Sequence, residues 1–340
     1  MQYPMFKAAA AHLAPVFLDA EKTVAKACDA IHEAARHGAQ LVTLPESYVP
    51  AFPVWAALWA PIYNHALFRA MVDNSLRVPG PEVQRIMEAA KEAGVFVSIG
   101  LSERSSASIG GLWNSNLLIS NEGVLLNHHR KLVPTFFEKM VWANGDGAGL
   151  RVVDTRIGRI GVLICGENTN PLARFSLMAQ SEEVHISSWP PIWPTRPPAD
   201  GRRYDIAAAV RIRAGAHSFE AKAFSIVVSG FMDATMRDYL VDIDPGVGDL
   251  LDHTPRSVSM FMGPDGAQIG ESICDAEGII YADIDVSLCI EQKQFHDVAC
   301  YYNRFDVFDL SVDRRRLEPI AFSGTPVQVA GEDEASQTPR

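Results

Sequence analysis

The sequence predicts a layered α/β domain built around mixed β-sheet. Three observations carry that prediction. Strand-like runs alternate with helical periodicity from residue 6 to residue 101, a hairpin signal at Asn121-Glu122-Gly123 then breaks the alternation, and strand–helix alternation resumes from residue 159. Residues 6–13 read as the first strand. Residues 21–37 read as a helix, with Val24, Cys28, Ile31 and Ala35 at helical spacing and Gly38 closing it. Leu41-Val42-Thr43-Leu44 is a short buried strand stopped by Pro45. Residues 81–93 form a second helix, with Pro81 in its first turn and Gly94 after its end, and a strand follows at 95–101. Residues 113–120 and 124–129 make the hairpin. A strand at 159–164 leads into a helix at 171–180, which Asn170 caps and Pro171 begins. A strand at 184–188, a long helix at 205–222 and a strand at 224–229 come next. Residues 257–262, 267–274 and 279–284 read as a late meander, with its first turn at Gly263-Pro264-Asp265-Gly266. The segment 189–203 is rich in Pro, Trp and Arg, lacks periodicity and reads as a long functional loop. Residues 331–340 are polar and are expected to be disordered.

Composition narrows the function classes. The 340 residues are 48% hydrophobic and 21% charged, the balance of a soluble globular protein. A formal net charge of −11 repels phosphate backbones and anionic membranes, which argues against a nucleic-acid partner. The one dense basic run, Arg314-Arg315-Arg316, reads as solvated surface. No apolar stretch approaches the roughly 18 residues a membrane helix needs. The N-terminal residues carry Lys7 within their apolar centre and read as a strand rather than a signal peptide, so a cytoplasmic location is expected. The five cysteines, Cys28, Cys165, Cys274, Cys289 and Cys300, are odd in number and lack Cys-x-x-Cys spacing. Free thiols are expected, rather than disulfides or a zinc site.

Three reactive residues occupy equivalent places. Glu46 follows the strand 41–44, Lys131 follows 124–129, and Cys165 follows 159–164. Strand ends are where α/β sheets build sites, and neighbouring strands would bring the three together at one sheet edge. Cys165 sits at a sharp strand-to-helix transition, the logic of a nucleophile elbow. A free thiol, with a pKa of about 8.5, needs a base or a positive helix end to ionise near neutrality. By position alone Cys165 serves equally as the end of a buried strand. Glu46, among Tyr48, Phe52 and Trp55, is placed to be a base of raised pKa, though alone it reads as a loop glutamate. Lys131 offers fixed positive charge to a developing anion, though alone it reads as a snorkelling lysine.

The combination carries a resemblance. Leu44-Pro45-Glu46, His129-Arg130-Lys131-Leu132-Val133-Pro134-Thr135 and Ile164-Cys165-Gly166-Glu167-Asn168 resemble the three signature blocks of the carbon–nitrogen hydrolase (nitrilase) family. The opening from Lys7 to Asp19, the block from His185 to Pro190 and the run from Tyr302 to Phe308 are similar to further family blocks. The resemblance spans about residues 6–312, and implies one such domain over 1–312 followed by a C-terminal tail over 313–340. It implies an αββα sandwich, two mixed sheets covered by helices, bearing a Glu46–Lys131–Cys165 triad. It also implies a second glutamate, Glu138, that orients Lys131 or handles protons. The Cys-Gly-Glu-Asn block resembles the nitrilase branch, with Gly166 where many nitrilases carry tryptophan.

The expected activity is therefore hydrolysis of an organic nitrile to the carboxylic acid and ammonia, with no metal and no organic cofactor. An amidase using the same residues is the nearest alternative, and a silent binding or assembly module is the other. The Gly166 amide would join Lys131 in stabilising charge on the former nitrile nitrogen. Phe52, Trp55, Trp142 and Trp189, with Trp59, Phe136 and Trp193, are candidate pocket walls suited to an uncharged nitrile, although buried aromatics are usually core. The resemblance implies a homodimer or a longer spiral homo-oligomer. His128 and His129 point to opposite faces of one strand, so a shared metal is not expected. A papain-like Cys165–His185 pair finds no support in its sequence context. Gly145-Asp146-Gly147-Ala148-Gly149 reads as a turn, since no helix follows it.

Overall fold

The first strand shows why the chain forms layers. Its side chains alternate between faces, and both faces are apolar: Phe6, Ala8 and Ala10 enter one buried cluster, while Ala9 and Ala11 enter another. A strand buried on both sides needs a layer on each. In a computed structural model describing residues 3–318 and 320, those layers are a second sheet and a pair of helices.

In chain order the elements are β1 (Met5–His12), α1 (Ala20–Arg36), β2 (Leu41–Thr43), α2 (His65–Asp73), α3 (Pro81–Ala93), β3 (Phe96–Arg104), β4 (Leu112–Ile119), β5 (Leu125–Arg130), β6 (Val153–Thr155) and β7 (Gly158–Ile164). There follow α4 (Pro171–Met178), β8 (Val184–Trp189), α5 (Ile206–Ala221), β9 (Phe224–Ser229), α6 (Ala234–Ile243), α7 (Gly248–His253), β10 (Ser259–Met262), β11 (Gln268–Ile273), β12 (Gly278–Asp285) and α8 (Leu288–Phe295). One six-stranded sheet runs β12-β1-β2-β3-β4-β5 and the other β11-β10-β9-β8-β7-β6. Both are mixed: β1, β2 and β3 are parallel, as are β7, β8 and β9, and antiparallel strands flank each set. Phe6, Leu41, Phe96, Ile160, Val162, Ile186, Ile226 and Ile280 fill the space between the sheets. Helices α1 and α3 cover the first sheet through Val24, Ile31, Val83 and Ile86. Helix α4 packs Ala173 and Leu177 on Leu163 of the second. This is the expected αββα sandwich, in a single domain.

Local signals held where the partner was near in sequence. Asp19, Asn170, Asp205 and Asp233 each cap a helix by accepting from its first-turn amides. The late meander is corrected. β10 and β11 pair as a hairpin, but β12 leaves them and lies antiparallel to β1 over the whole strand, from Met5 opposite Asp285 to His12 opposite Gly278. The free edge of β1 satisfies the backbone of β12, and a partner some 270 positions away is invisible to turn chemistry. Helices α2, α6, α7 and α8 are additions that the periodicity did not reveal. Residues 331–340, expected to be disordered, lie outside the described residues. The basic run divides: Arg315 pairs with Asp313 at the surface, whereas Arg316 turns inward to Asp146 and the His128 carbonyl. Among the described residues no helix is long and apolar enough to cross a membrane.

One close approach positions the site. The Gly100 amide on β3 donates to the Pro45 carbonyl at 3.1 Å, and a Cβ at Gly100 would lie 2.2 Å from that oxygen and 2.6 Å from the Ser47 nitrogen. Backbone on both sides leaves nowhere for a methyl group to go. Gly100→Ala is expected to cost at least about 2 kcal/mol, as overpacking does, and to displace Glu46. Urea denaturation with an unchanged midpoint would contradict this.

Candidate active site

Each candidate side chain is placed by the loop after its strand. Glu46 lies on the turn that β3 grips, Lys131 donates its amide to the Asn114 carbonyl at 2.7 Å, and Cys165 opens a 3₁₀ turn, Cys165–Thr169, directly after β7. The expectation that neighbouring strands bring them to one sheet edge is corrected. β2 and β5 are separated by β3 and β4, and β7 belongs to the other sheet. The residues meet because the two sheets face each other, so the site lies between layers. Three non-glycine residues around it hold left-handed backbone: Ser47 at φ 45°, Phe136 at 51° and Cys165 at 51°. Such conformations persist only where the surroundings over-determine them, and they cluster at functional sites.

The structure brings Glu46, Lys131, Glu138 and Cys165 together, all buried. The Lys131 ammonium donates to Glu46 Oε1 at 2.8 Å and to the two Glu138 oxygens at 2.9 and 2.7 Å. A Glu46 oxygen, a Glu138 oxygen and the Cys165 sulfur lie within 4.8 Å of one another. Lys131 is thus no snorkelling surface lysine, and its ammonium holds the place a cation would take between the carboxylates. Asn114 Nδ2 adds a 2.7 Å bond to Glu46 Oε1, while Glu46 Oε2 finds no hydrogen-bond partner among the described residues. That second oxygen is free to take a proton.

One ammonium faces two carboxylates and a thiol, and the titration order follows. Burial raises Glu46, and Lys131 and Asn114 only partly offset it. Burial likewise raises Glu138, to about 7. Burial and the Glu46 charge push the Cys165 thiol well up, against Lys131 and the Gly166 amide, which favour thiolate. Burial would lower Lys131, but the surrounding anions hold it well above its usual value. The resting cluster therefore keeps its proton on sulfur and its positive charge on Lys131. The acid limb of kcat/KM is expected to lie above the ordinary carboxylate pKa, because a carboxylate base must be ionised and burial raises both carboxyls here. A profile flat down to pH 4.5 would contradict the raised carboxylates.

Glu167, two residues after the cysteine, fastens the Cys165 turn in place. Glu167 accepts from the Ile164 amide at 2.8 Å, from the Leu132 amide at 2.5 Å and from His129 Nε2 at 2.9 Å. One carboxylate thus ties the Cys165 turn to the strand end that carries Lys131. Burial alone would raise Glu167, but His129 and the two amides outweigh it and its carboxyl sits below the usual range. At Gly166 a Cβ would lie 2.7 Å from Thr135 Oγ1. Thr135 begins the turn that carries Glu138, and its amide donates to Glu138 Oε2 at 2.9 Å.

Phe52, Trp55, Trp142 and Trp189 all lie in the buried apolar cluster that contains Cys165. Of the further wall candidates, Trp193 belongs to it and Trp59 packs on its margin. Phe136 is corrected: it is 68% exposed, and Phe137 takes the inner position, stacked on Trp193 with ring centres 4.5 Å apart. A small pocket is lined by Glu46 together with Tyr48, Phe52, Pro191, Phe231 and Met236. Phe231 and Met236 were not legible beforehand. Asn114 was also missed, although a polar Asn-Ser-Asn run inside an apolar strand was a usable signal. His185 does not pair with the thiol, since its ring nitrogens are spent on Glu182 and Asn168. His128 and His129 do face opposite ways, to Glu103 and Glu167. Gly147–Gly149 forms a 3₁₀ turn.

The two-sheet αββα sandwich is the fold of a solved Saccharomyces cerevisiae protein, Nit3, described as a member of the nitrilase superfamily, which superposes with a TM-score of 0.65 at 17% identity over 86% of this chain and 94% of that one. A solved carbon–nitrogen hydrolase from Helicobacter pylori G27 superposes with a TM-score of 0.67 at 18% identity, over 86% of this chain and 93% of that one. The chain belongs to the carbon–nitrogen hydrolase family, whose model matches residues 7–294, and it is a hydrolase acting on carbon–nitrogen bonds. It is 35% identical over 311 residues to a protein named Nitrilase 3 from an unknown prokaryotic organism, covering 91% of this chain and 90% of that protein. It is 34% identical over 326 residues to an arylacetonitrilase from Aspergillus niger, covering 94% and 96%.

Proposed function

We propose that the protein is a nitrilase, converting an uncharged organic nitrile and two waters into the carboxylic acid and ammonia. The observation that carries the reading is the meeting of the Cys165 sulfur, a Glu46 oxygen and a Glu138 oxygen within 4.8 Å, with Lys131 bonded to both carboxylates. Relatives named nitrilase and arylacetonitrilase support the substrate class.

In this reading Glu46 takes the Cys165 proton as the sulfur bonds to the nitrile carbon. The nitrogen gains that proton, giving a thioimidate, with Lys131 and the Gly166 amide stabilising the charge that develops. Water adds to the thioimidate, the C–N bond breaks, and ammonia leaves a thioester. Glu46 then activates a second water, the C–S bond breaks, and the acid departs as the thiol is restored. Glu138 holds Lys131 in place through both carboxylate oxygens. The apolar, aromatic surroundings of Phe52, Phe137, Trp142 and Trp193 suit a nitrile bearing an aryl group.

The test compares ammonia release from phenylacetonitrile, benzonitrile and an aliphatic nitrile with release from their matched amides, alongside mass spectrometry of the Cys165 peptide after acid quench. Nitrile turnover with a substrate-derived mass on Cys165 is expected. Turnover of the amides with inert nitriles would reassign the enzyme as an amidase.

A further inference from the structure

Behind the cysteine turn lies a second buried polar cluster that the reaction scheme does not use. Glu182, His185 on β8 and His217 on α5 are all fully buried. His185 Nδ1 meets Glu182 Oε1 at 2.8 Å and His217 Nε2 meets Glu182 Oε2 at 2.7 Å, with the two imidazoles stacked 3.7 Å apart. On its other side His185 Nε2 meets Asn168 Oδ1 at 2.8 Å, and Asn168 Nδ2 donates to the Cys165 carbonyl at 3.0 Å and the Leu163 carbonyl at 3.4 Å. The chain of contacts therefore runs from His217 through Glu182, His185 and Asn168 to the backbone of Cys165. Space for it is built in: a Cβ at Gly161, the residue of β7 opposite His185, would lie 2.0 Å from Glu182 Oε1.

The proton count of this chain is constrained. The Asn168 group facing two carbonyl oxygens must be its NH₂, because an amide oxygen there would meet two acceptors. Its oxygen then faces His185, so Nε2 must donate. His185 Nδ1 lies 2.8 Å from an oxygen of the Glu182 carboxylate, an acceptor, so Nδ1 donates as well. His217 is lowered to about 4, by burial first and by His185 next, and its Nδ1 finds no partner among the described residues. It is the neutral member.

We propose that His185 is a buried imidazolium, paired with Glu182 and shielded by neutral His217, which locks Asn168 so that its amide holds the Cys165 carbonyl and the left-handed turn of the nucleophile. Glu182, His185, His217 and Asn168 are positioning residues, since none touches the reacting atoms. The proposal rests on Cys165 being the nucleophile, but not on the substrate being a nitrile.

Two measurements test it. In protein labelled with ¹⁵N-histidine at pH 7.5, the signal lost in His185→Gln is expected to show both ring nitrogens protonated, and one unprotonated nitrogen would overturn the charge assignment. Asn168→Asp keeps the shape but removes the donor, and Glu182→Gln removes the counter-charge. Both are expected to slow iodoacetamide alkylation of Cys165, followed on its peptide by mass spectrometry, by about 10-fold or more, and to lower kcat by roughly 10–100-fold with KM nearly unchanged, as small misplacement of a reacting group does. Wild-type alkylation rate and kcat in Asn168→Asp would overturn the positioning role. Alkylation and imidazole signals are read without substrate, so they stand even if the nitrile reading fails, and the histidine measurement stands if Glu182→Gln does not fold.

Discussion

Cys165→Ala is expected to abolish ammonia release, lowering it by roughly 10⁴-fold or more, the scale of deleting a covalent nucleophile. The expectation follows from the arrangement: Cys165 presents the sulfur of this cluster, and the second Glu46 oxygen has no hydrogen-bond partner among the described residues. Folding is expected to be spared. Alanine keeps the same Cβ at φ 51°, and removing the thiol relieves a group whose ionised form the site penalises through burial and Glu46. Ammonia assays run beside thermal unfolding separate the two. Residual turnover within a few-fold of wild type would end the covalent scheme.

Lys131→Met is expected to damage both activity and stability. Losing the ammonium removes the donor to developing negative charge, a loss of about 10²–10³ in kcat for one such donor. It also leaves Glu46 and Glu138 buried and facing each other, and breaking a buried pair typically costs about 3–5 kcal/mol. The pH dependence identifies the cause. Both carboxyls already have raised pKa values with Lys131 present, Glu138 at about 7, and losing the cation raises them further. A carboxyl raised in the folded state contributes stability that is fully present below its unfolded pKa and is lost as pH rises through the folded value. The variant is therefore expected to regain stability as pH falls from 8 towards 5. Urea midpoints at those two pH values check this, and equal midpoints would show that the carboxylates are not paired through Lys131.

The outcome at Phe136 and Phe137 shows where sequence reading ends. Both are aromatic and adjacent, and composition favours neither. The left-handed backbone at Phe136 leaves that residue exposed, and Phe137 is the one that packs on Trp193. Glu46 and Lys131, each ambiguous by itself, were legible for a different reason: each stands in one of three blocks whose combination and order resemble those of the carbon–nitrogen hydrolase family. Asn114 and the Glu182–His217 pair were not, because a buried polar residue is defined by partners that lie far along the chain. His217, 35 positions after Glu182, shares that one carboxylate with His185.

The sequence by itself determined the parts. Period-two and helical patterns placed most strands and the longer helices, capping residues set several helix starts, and three blocks marked the reactive side chains. Only the tertiary structure decided how the parts meet: that β12 returns to β1, that Cys165 faces Glu46 and Lys131 from the opposite sheet, and that one ammonium serves two carboxylates. The physical reason is that apolar burial drives the layers together without direction, while strand pairing and charge matching between distant segments choose one arrangement among many.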